Sequence, residues 1–337
     1  MVDSEECVFS TLVQVIFSDI TWICSLAFVV LTGIAWYVRH SLKIDGIHQK
    51  YVLVTGCDSG FGNLLSRQLD QQGFRVIAAC LTESGASNLQ SASSTRLKSI
   101  ILDVTKKESI SRAVELVQRE VGEKGLWGLV NNAGRSVPIG PTEWMQLEDY
   151  KQVLDVNLIG LIDVTLQFLP LLKKAKGRVV NVASILGRIS LTGGGYCLSK
   201  WGVEAFSDGL RRDMQHFGVK VCIIEPGFFK TRVTNLDLIE ADLKVRWNNL
   251  PEDVRRSYGN SYLHEYLKAQ AFSMGVLCSK DISKVTTCMQ HALSAQYPRS
   301  RYAAGWDAKL FWIPLSYLPA FIADFVITAL QPLPKQS

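Results

Sequence analysis

The strongest constraint on this chain is a recurrence of short Val/Ile-rich runs separated by stretches of helical period. The runs are YVLVT (51–55), FRVIAAC (74–80), LKSIILD (97–103), LWGLVNN (126–132), GRVVNVAS (177–184) and VKVCIIEP (219–226). Between them, Phe61 to Gln72 puts Leu64, Leu65 and Leu69 on one face, and Lys107 to Val121 reads the same way. Strands that are apolar without alternation are buried on both faces. With helices between them, they specify a parallel sheet covered on both sides. The fold class expected is α/β: a single Rossmann-like doubly wound parallel sheet over residues 50–235.

The rhythm changes after Pro226. Residues 236–275 read as amphipathic helices, with Leu236, Ile239, Leu243 and Trp247 on one side and a break at Pro251. A further helix over 282–293 and a short strand at 301–303 complete a segment 236–309. The tail 310–337 is apolar, but Pro314, Pro319 and Asp324 interrupt it, so a surface-lying or packed segment is expected there rather than a clean span.

Residues 1–49 are of a different character. From Ile20 to Val38 no charge occurs, which is close to the length that spans a bilayer, and Asp19 separates this run from another apolar stretch, Val8 to Phe17. The start is acidic (Asp3, Glu5, Glu6), unlike the basic start of a cleaved signal peptide, so an uncleaved signal-anchor spanning about 20–38 is expected. Arg39, His40 and Lys43 follow the span, which places the following domain in the cytosol by the positive-inside rule. The absence of any Asn-x-Ser/Thr sequon agrees with that side.

Composition removes several classes. With 47% hydrophobic and 20% charged residues, the bulk of the chain is not disordered. A net charge of +5 is scattered in pairs and triplets, without a basic stripe, zinc-finger or RNP spacing, so nucleic acid is not an expected partner. Eight cysteines form no CxxC pair and five histidines no HxxxH pair, so neither a disulfide framework nor a metal site is expected.

Chemistry enters with Thr55-Gly56-Cys57-Asp58-Ser59-Gly60-Phe61-Gly62, directly after the first strand and opening a helix. Glycines there let the backbone turn tightly and approach a pyrophosphate, which then meets the helix N-terminus. Asn131-Asn132-Ala133-Gly134 follows the fourth run, Asn157 lies in a helix, Ser184 ends the fifth run, Tyr196-x-x-x-Lys200 follows, and Pro226-Gly227 with Thr231 ends the sixth. Together these resemble the short-chain dehydrogenase/reductase family over about residues 50–235. LTESG (81–85), GGGYCLSK (193–200), EAFSDGLRRDM (204–214), EPGFFKT (225–231) and AGWDAKLFWIPLSYLP (304–319) are similar to its membrane-bound retinol and hydroxysteroid dehydrogenase branch.

A free tyrosine titrates near ~10 and is a poor base at neutral pH. Lys200 lies one turn from Tyr196 on the same helix face, where its charge stabilises a phenolate and lowers the Tyr pKa. The resemblance implies that Tyr196 is the general base, that Lys200 also bonds the nicotinamide ribose, that Ser184 holds the substrate oxygen and that Asn157 supports a relay water. It implies cofactor contacts from Gly56, Ser59, Gly60, Phe61, Gly62, Asp103, Asn132, Ala133, Gly134, Tyr196, Lys200, Pro226, Gly227 and Thr231. Asn132 and Asp103 could equally cap local structure.

The second strand ends in Ala79-Cys80-Leu81-Thr82-Glu83, with no base for a 2′-phosphate, so NAD is expected, with NADP as the alternative. The implied protein is an NAD-dependent dehydrogenase of lipophilic alcohols at the endoplasmic reticulum membrane, retinoid or hydroxysteroid its substrate, and a homodimer by family habit. Residues 236–309 then include a substrate lid, with Phe228, Phe229 and Trp247 as an apolar wall, or as core. An NADP-dependent carbonyl reductase and a catalytically silent retinoid or steroid carrier are the competing readings.

Overall fold

A computed structural model describes residues 2–335, with side chains from Thr21 onward. It divides into two units, residues 1–45 with 294–298, and residues 46–293 with the rest of the chain.

The first unit is built on α1 (Val2–Ser41), which stays helical through Asp19. The acidic start, the Val8 to Phe17 stretch and Ile20 have side chains outside the described residues. At 1.5 Å per residue the helix is about 60 Å long, roughly twice a bilayer core. Its half from Thr21 to Ser41 has a mean hydropathy of 1.8 and buries nothing, leaving Trp22, Phe28 and Tyr37 about 70% exposed. After it, Ile44 N–H donates to Ser294 O at 2.8 Å and Gln296 N–H to Leu42 O at 2.8 Å, closing a small antiparallel contact.

In the second unit β1 (Tyr51–Thr55), α2 (Gly60–Gln72), β2 (Arg75–Cys80), α3 (Glu83–Ser91), β3 (Leu97–Ile101), α4 (Lys107–Val121) and β4 (Gly128–Asn131) alternate as the pattern requires. A two-residue β5 (Ile139–Gly140) leads to α5 (Leu147–Leu154) and, through a π-helical turn, to α6 (Gly160–Ala175). Then come β6 (Arg178–Val182), a two-residue β7 (Gly193–Gly194), α7 (Gly195–Met214) and β8 (Lys220–Pro226). Three helices follow, α8 (Leu236–Asn249), α9 (Glu252–Tyr258) and α10 (Tyr262–Leu277), then α11 (Ser283–Ser294), β9 (Arg301–Ala304), α12 (Ile313–Ser316) and α13 (Ala320–Thr328).

Seven strands form one parallel sheet in the order β3-β2-β1-β4-β6-β8-β9. Alternate strand residues feed two cores. Val52, Val54, Val76, Val130, Val180 and Ile224 meet Leu65 and Leu69 of α2 and Met289 and Leu293 of α11. Leu53, Ile77, Leu129, Val179 and Val221 meet Ile110 and Val117 of α4 and Val164 and Phe168 of α6. Each such buried side chain contributes about 1.5–3 kcal/mol over its exposed state. The apolar stretch Leu147–Ala175 is therefore a core element, although it is long and apolar enough to span a bilayer.

Strand order reverses between β1 and β4. The crevice outside the carboxyl ends of the strands at such a switch point is where ligands bind in open parallel sheets.

Candidate active site

A cleft of about 550 Å³ opens at that switch point. Its floor is the turn between β1 and α2. Gly56 and Gly60 have φ of 69° and 63°, the left-handed region that favours glycine. At Gly62 a Cβ would lie 2.6 Å from the Asn132 side-chain nitrogen, so Gly62 is what lets the turn close on the next strand. Ser59 caps α2 without a side-chain hydrogen bond and no acid occupies the first turn, leaving the helix N-terminus to a ligand anion.

Asn132 braces the turn, its Nδ2 donating to Thr55 O at 2.9 Å and Gly56 O at 3.1 Å. Thr55 Oγ1 accepts in return from the N–H groups of Asn132 and Ala133, both at 3.0 Å. Asp103 also lines the cleft, but accepts from Thr105 N–H at 3.0 Å and Thr105 Oγ1 at 2.7 Å, and pairs with Lys106 at 3.3 Å. Burial would raise its carboxyl, yet the bonds from Thr105 and Lys106 outweigh burial and hold it below the usual carboxylate value.

The opposite wall carries the polar cluster. Ser184 follows β6 and its Oγ accepts from Leu186 N–H at 3.1 Å. Ser184 and Tyr196 line the cleft together, and the Ser184 side chain favours the ionised Tyr196 phenol. Lys200, one turn along α7, is 6% exposed and donates from Nζ to Val182 O at 2.8 Å, with Nζ 5.6 Å from the centre of the Tyr196 ring. Burial pushes the Tyr196 phenol up to about 12, with only the Ser184 side chain opposing, and pushes Lys200 down to about 8, opposed by Glu204. Desolvation is the largest cause of both shifts.

Asn157 sits in the π-helical turn, 1% exposed, behind the cleft wall. Its Oδ1 accepts from Arg135 N–H at 2.9 Å, and its Nδ2 donates to Arg135 O at 2.9 Å and Ser199 Oγ at 3.0 Å. It ties the loop after Gly134 to the helix of Tyr196.

Gly56, Ser59, Gly60, Phe61, Asp103, Asn132, Ala133, Gly134, Ser184, Tyr196, Lys200, Pro226, Gly227, Phe229 and Thr231 all line this one cleft. Gly62 lies beneath it. Three aromatic residues fall elsewhere than a common substrate wall. Phe229 is 2% exposed and meets Phe61 edge-on at 5.9 Å, on the glycine-turn side. Phe228 lines a second, apolar cavity of about 90 Å³ with Leu191, Leu277, Trp312 and Ile327. Trp247 lines neither cavity; it packs on Trp144 at 5.1 Å and Tyr258 at 6.4 Å, in a cluster with Tyr262 and Tyr266.

Two acids that the motifs do not announce hold the site together. Asp58 bridges to the loop after β2, and Asp307, 1% exposed, accepts from Phe228 N–H at 2.8 Å beside Gly227. Buried Asn131 donates to Thr165 Oγ1 at 2.8 Å and Asn181 Oδ1 at 2.9 Å, locking β4 to β6. Their partners are distant in sequence, and nothing local points to them.

A glycine-lined cradle at a free helix N-terminus, facing two hydroxyls backed by a lysine, defines a nucleotide-dependent oxidoreductase; the residues present fit a nicotinamide dinucleotide. The family described as short chain dehydrogenase matches residues 50–238, and the chain belongs to it, a family that uses NAD or NADP. It is 57% identical to retinol dehydrogenase 7 of Rattus norvegicus over 306 residues, 91% of this chain and 96% of that protein. It is 51% identical to human 17-beta-hydroxysteroid dehydrogenase type 6, covering 94% and 99%. A solved short-chain dehydrogenase from Streptomyces avermitilis superposes with a TM-score of 0.65 at 26% identity, over 83% of this chain and 97% of that one.

Proposed function

We propose that the protein oxidises lipophilic alcohols with NAD, retinol to retinal, 3α-hydroxysteroid to ketosteroid or both, using Tyr196 as general base. The observation that carries this is Ser184 and Tyr196 together on the cleft wall with Lys200 one turn behind Tyr196 on α7. Ser184 orients the substrate oxygen, and Tyr196 takes its proton. Lys200 supplies the positive charge that a buried phenolate requires. Bound oxidised nicotinamide supplies the hydride acceptor and a second positive charge. Asn157 fixes the backbone on both sides of the reacting groups and supports the relay water.

Substrate class has two supports: the relatives' names and the apolar helix Thr21–Ser41. That helix as signal-anchor in the endoplasmic reticulum membrane, with Arg39 and Lys43 on the cytosolic side, brings the enzyme to substrates dissolved in lipid. Residues 1–49 then anchor, 50–235 bind nucleotide and carry the catalytic groups, 236–309 close over substrate and 310–337 lie against the bilayer. Ile159, Leu166, Leu198 and Trp201 are about half exposed on α7 and the segment leading through α6, a face suited to a second copy.

The test is NADH formation by membranes carrying the expressed chain, with retinol and a 3α-hydroxysteroid offered separately, each with NAD and NADP. Turnover with NAD that vanishes in Tyr196→Phe is expected. Preference for NADP would favour the carbonyl reductase; nucleotide binding without turnover would favour the carrier. Protease protection of the same membranes reads the sidedness.

A further inference from the structure

Nucleotide folds of this kind distinguish NAD from NADP at the carboxyl end of the second strand, beside the ribose that carries the 2′ position. β2 brings no acid there. Cys80 is buried, Leu81 is apolar and 60% exposed, and Glu83 is exposed in the first turn of α3, outside the cleft lining.

The neighbouring turn supplies one. Asp58, two residues past Gly56, reaches across from β1 to β2. Its Oδ2 accepts from Leu81 N–H at 2.8 Å, and its Oδ1 from Thr82 N–H at 3.0 Å and Thr82 Oγ1 at 2.6 Å. Asp58, Leu81 and Thr82 line the nucleotide cleft together. Gly85 permits this approach, since a Cβ there would lie 2.5 Å from Asp58 Oδ1. The two arginines that line the cleft, Arg135 and Arg232, belong to the segments after Gly134 and Thr231 instead.

We propose that Asp58 selects NAD over NADP, standing in for the acid that β2 lacks. This rests on the NAD reading above and names the residue behind it. A carboxylate offers about four acceptor sites, and the three hydrogen bonds to Leu81 and Thr82 leave one for a ribose hydroxyl. A 2′-phosphate, with a charge of about −1.5 to −2, meets a fixed negative charge in the same place.

The experiment measures dissociation constants of NAD and NADP by calorimetry on the full-length protein in detergent, at low and high salt. Wild type, Asp58→Asn and Thr82→Val are compared. Expected are a wild-type preference for NAD that shrinks as salt rises, and a drop of at least about tenfold (~1.4 kcal/mol) in that preference in Asp58→Asn, mainly through tighter NADP. Thr82→Val removes one brace but keeps the charge, so it keeps the preference. An unchanged preference in Asp58→Asn, or equal weakening of both nucleotides in both variants, would leave Asp58 a loop brace and overturn the proposal. If Asp58→Asn does not fold, the salt titration of the wild type decides: a preference indifferent to salt overturns it. A wild type that prefers NADP instead overturns the NAD reading itself.

Discussion

Lys200 and Glu204 stand one turn apart on the buried face of α7, each 6% exposed. The lysine donates to Val182 O, and Glu204 Oε2 accepts from Arg301 at 3.0 Å while Oε1 is buried without a hydrogen-bond partner. Burial and Glu225 push the Glu204 carboxyl up, against Arg301 and Arg188. For Lys200, burial lowers its pKa and Glu204 is the charge that raises it. Behind the reacting groups, buried Glu204 and Glu225 share a charge network with half-buried Asp208, Arg188 and Arg301.

Glu204→Gln should therefore lower the Lys200 pKa further, and the alkaline limb of nucleotide binding should move down by about one pH unit, ~1.4 kcal/mol of lost charge stabilisation. Titrating the NAD dissociation constant from acid to alkaline pH checks this. Asp208→Asn, which also touches Arg301 (2.9 Å in the wild type), should leave the limb in place. Superimposable profiles for Glu204→Gln and wild type would refute the coupling.

The same lysine makes stability depend on pH. Its pKa is about 8 when folded against 10.5 ordinarily, so between those values the unfolded chain binds more protons. The contribution of Lys200 to unfolding free energy thus rises as pH climbs through that window and is flat below it. Urea unfolding at several pH values should show a rise that Lys200→Met lacks.

Tyr196→Phe removes the cleft-lining hydroxyl and little else. Turnover should fall by about 10²–10⁴, the usual worth of a general base, while nucleotide affinity and melting temperature stay near wild type. A matching loss of nucleotide affinity would mean that the hydroxyl holds the cleft together rather than moving a proton.

The parallel sheet was readable because its interior strands are apolar on both faces, and 51–55 and 107–121 coincide with β1 and α4. The cleft residues were readable because each glycine, Asn132, Ser184 and the Tyr196–Lys200 pair recur at family spacing beside strand ends. What sequence does not carry is who meets whom across the fold. Asp58 looks like one more polar residue in a glycine turn until the loop after β2 is seen on it, and Asp307 until Gly227 is seen beside it. Trp247 shares a helical stripe with Leu243, but periodicity says only that it faces inward, not that Trp144 fills the space there. Desolvation of Tyr196 is likewise a property of the assembled cleft.

Asn157 spends its amide on Arg135 and Ser199 inside an irregular helical turn. Asn157→Ala would leave the Arg135 N–H and C=O unpaired in the interior, at about 1–3 kcal/mol each. The urea midpoint should fall accordingly, and nucleotide affinity should weaken with it, because Arg135 continues the Gly134 wall of the cleft. Lost turnover at unchanged midpoint would instead assign Asn157 wholly to the proton relay.

Phe228 and Trp247 separate substrate contact from packing. Trp247 is part of an aromatic cluster with Trp144, Tyr258, Tyr262 and Tyr266 that joins α8 to α9 and α10. Trp247 is half-buried, so Trp247→Ala should cost about 1–3 kcal/mol of stability, less than a full core truncation, and Trp247→Phe should recover much of it, with KM for the lipophilic alcohol near wild type. Phe228 touches Trp312 at 6.0 Å between ring centres and lines the apolar cavity, so Phe228→Ala should raise KM several-fold as the cavity loses its shape. Paired measurements of KM and urea midpoint on the three variants check both halves. A raised KM in Trp247→Phe at unchanged midpoint would return Trp247 to the substrate wall, because only direct contact with the alcohol would register there without loosening the cluster.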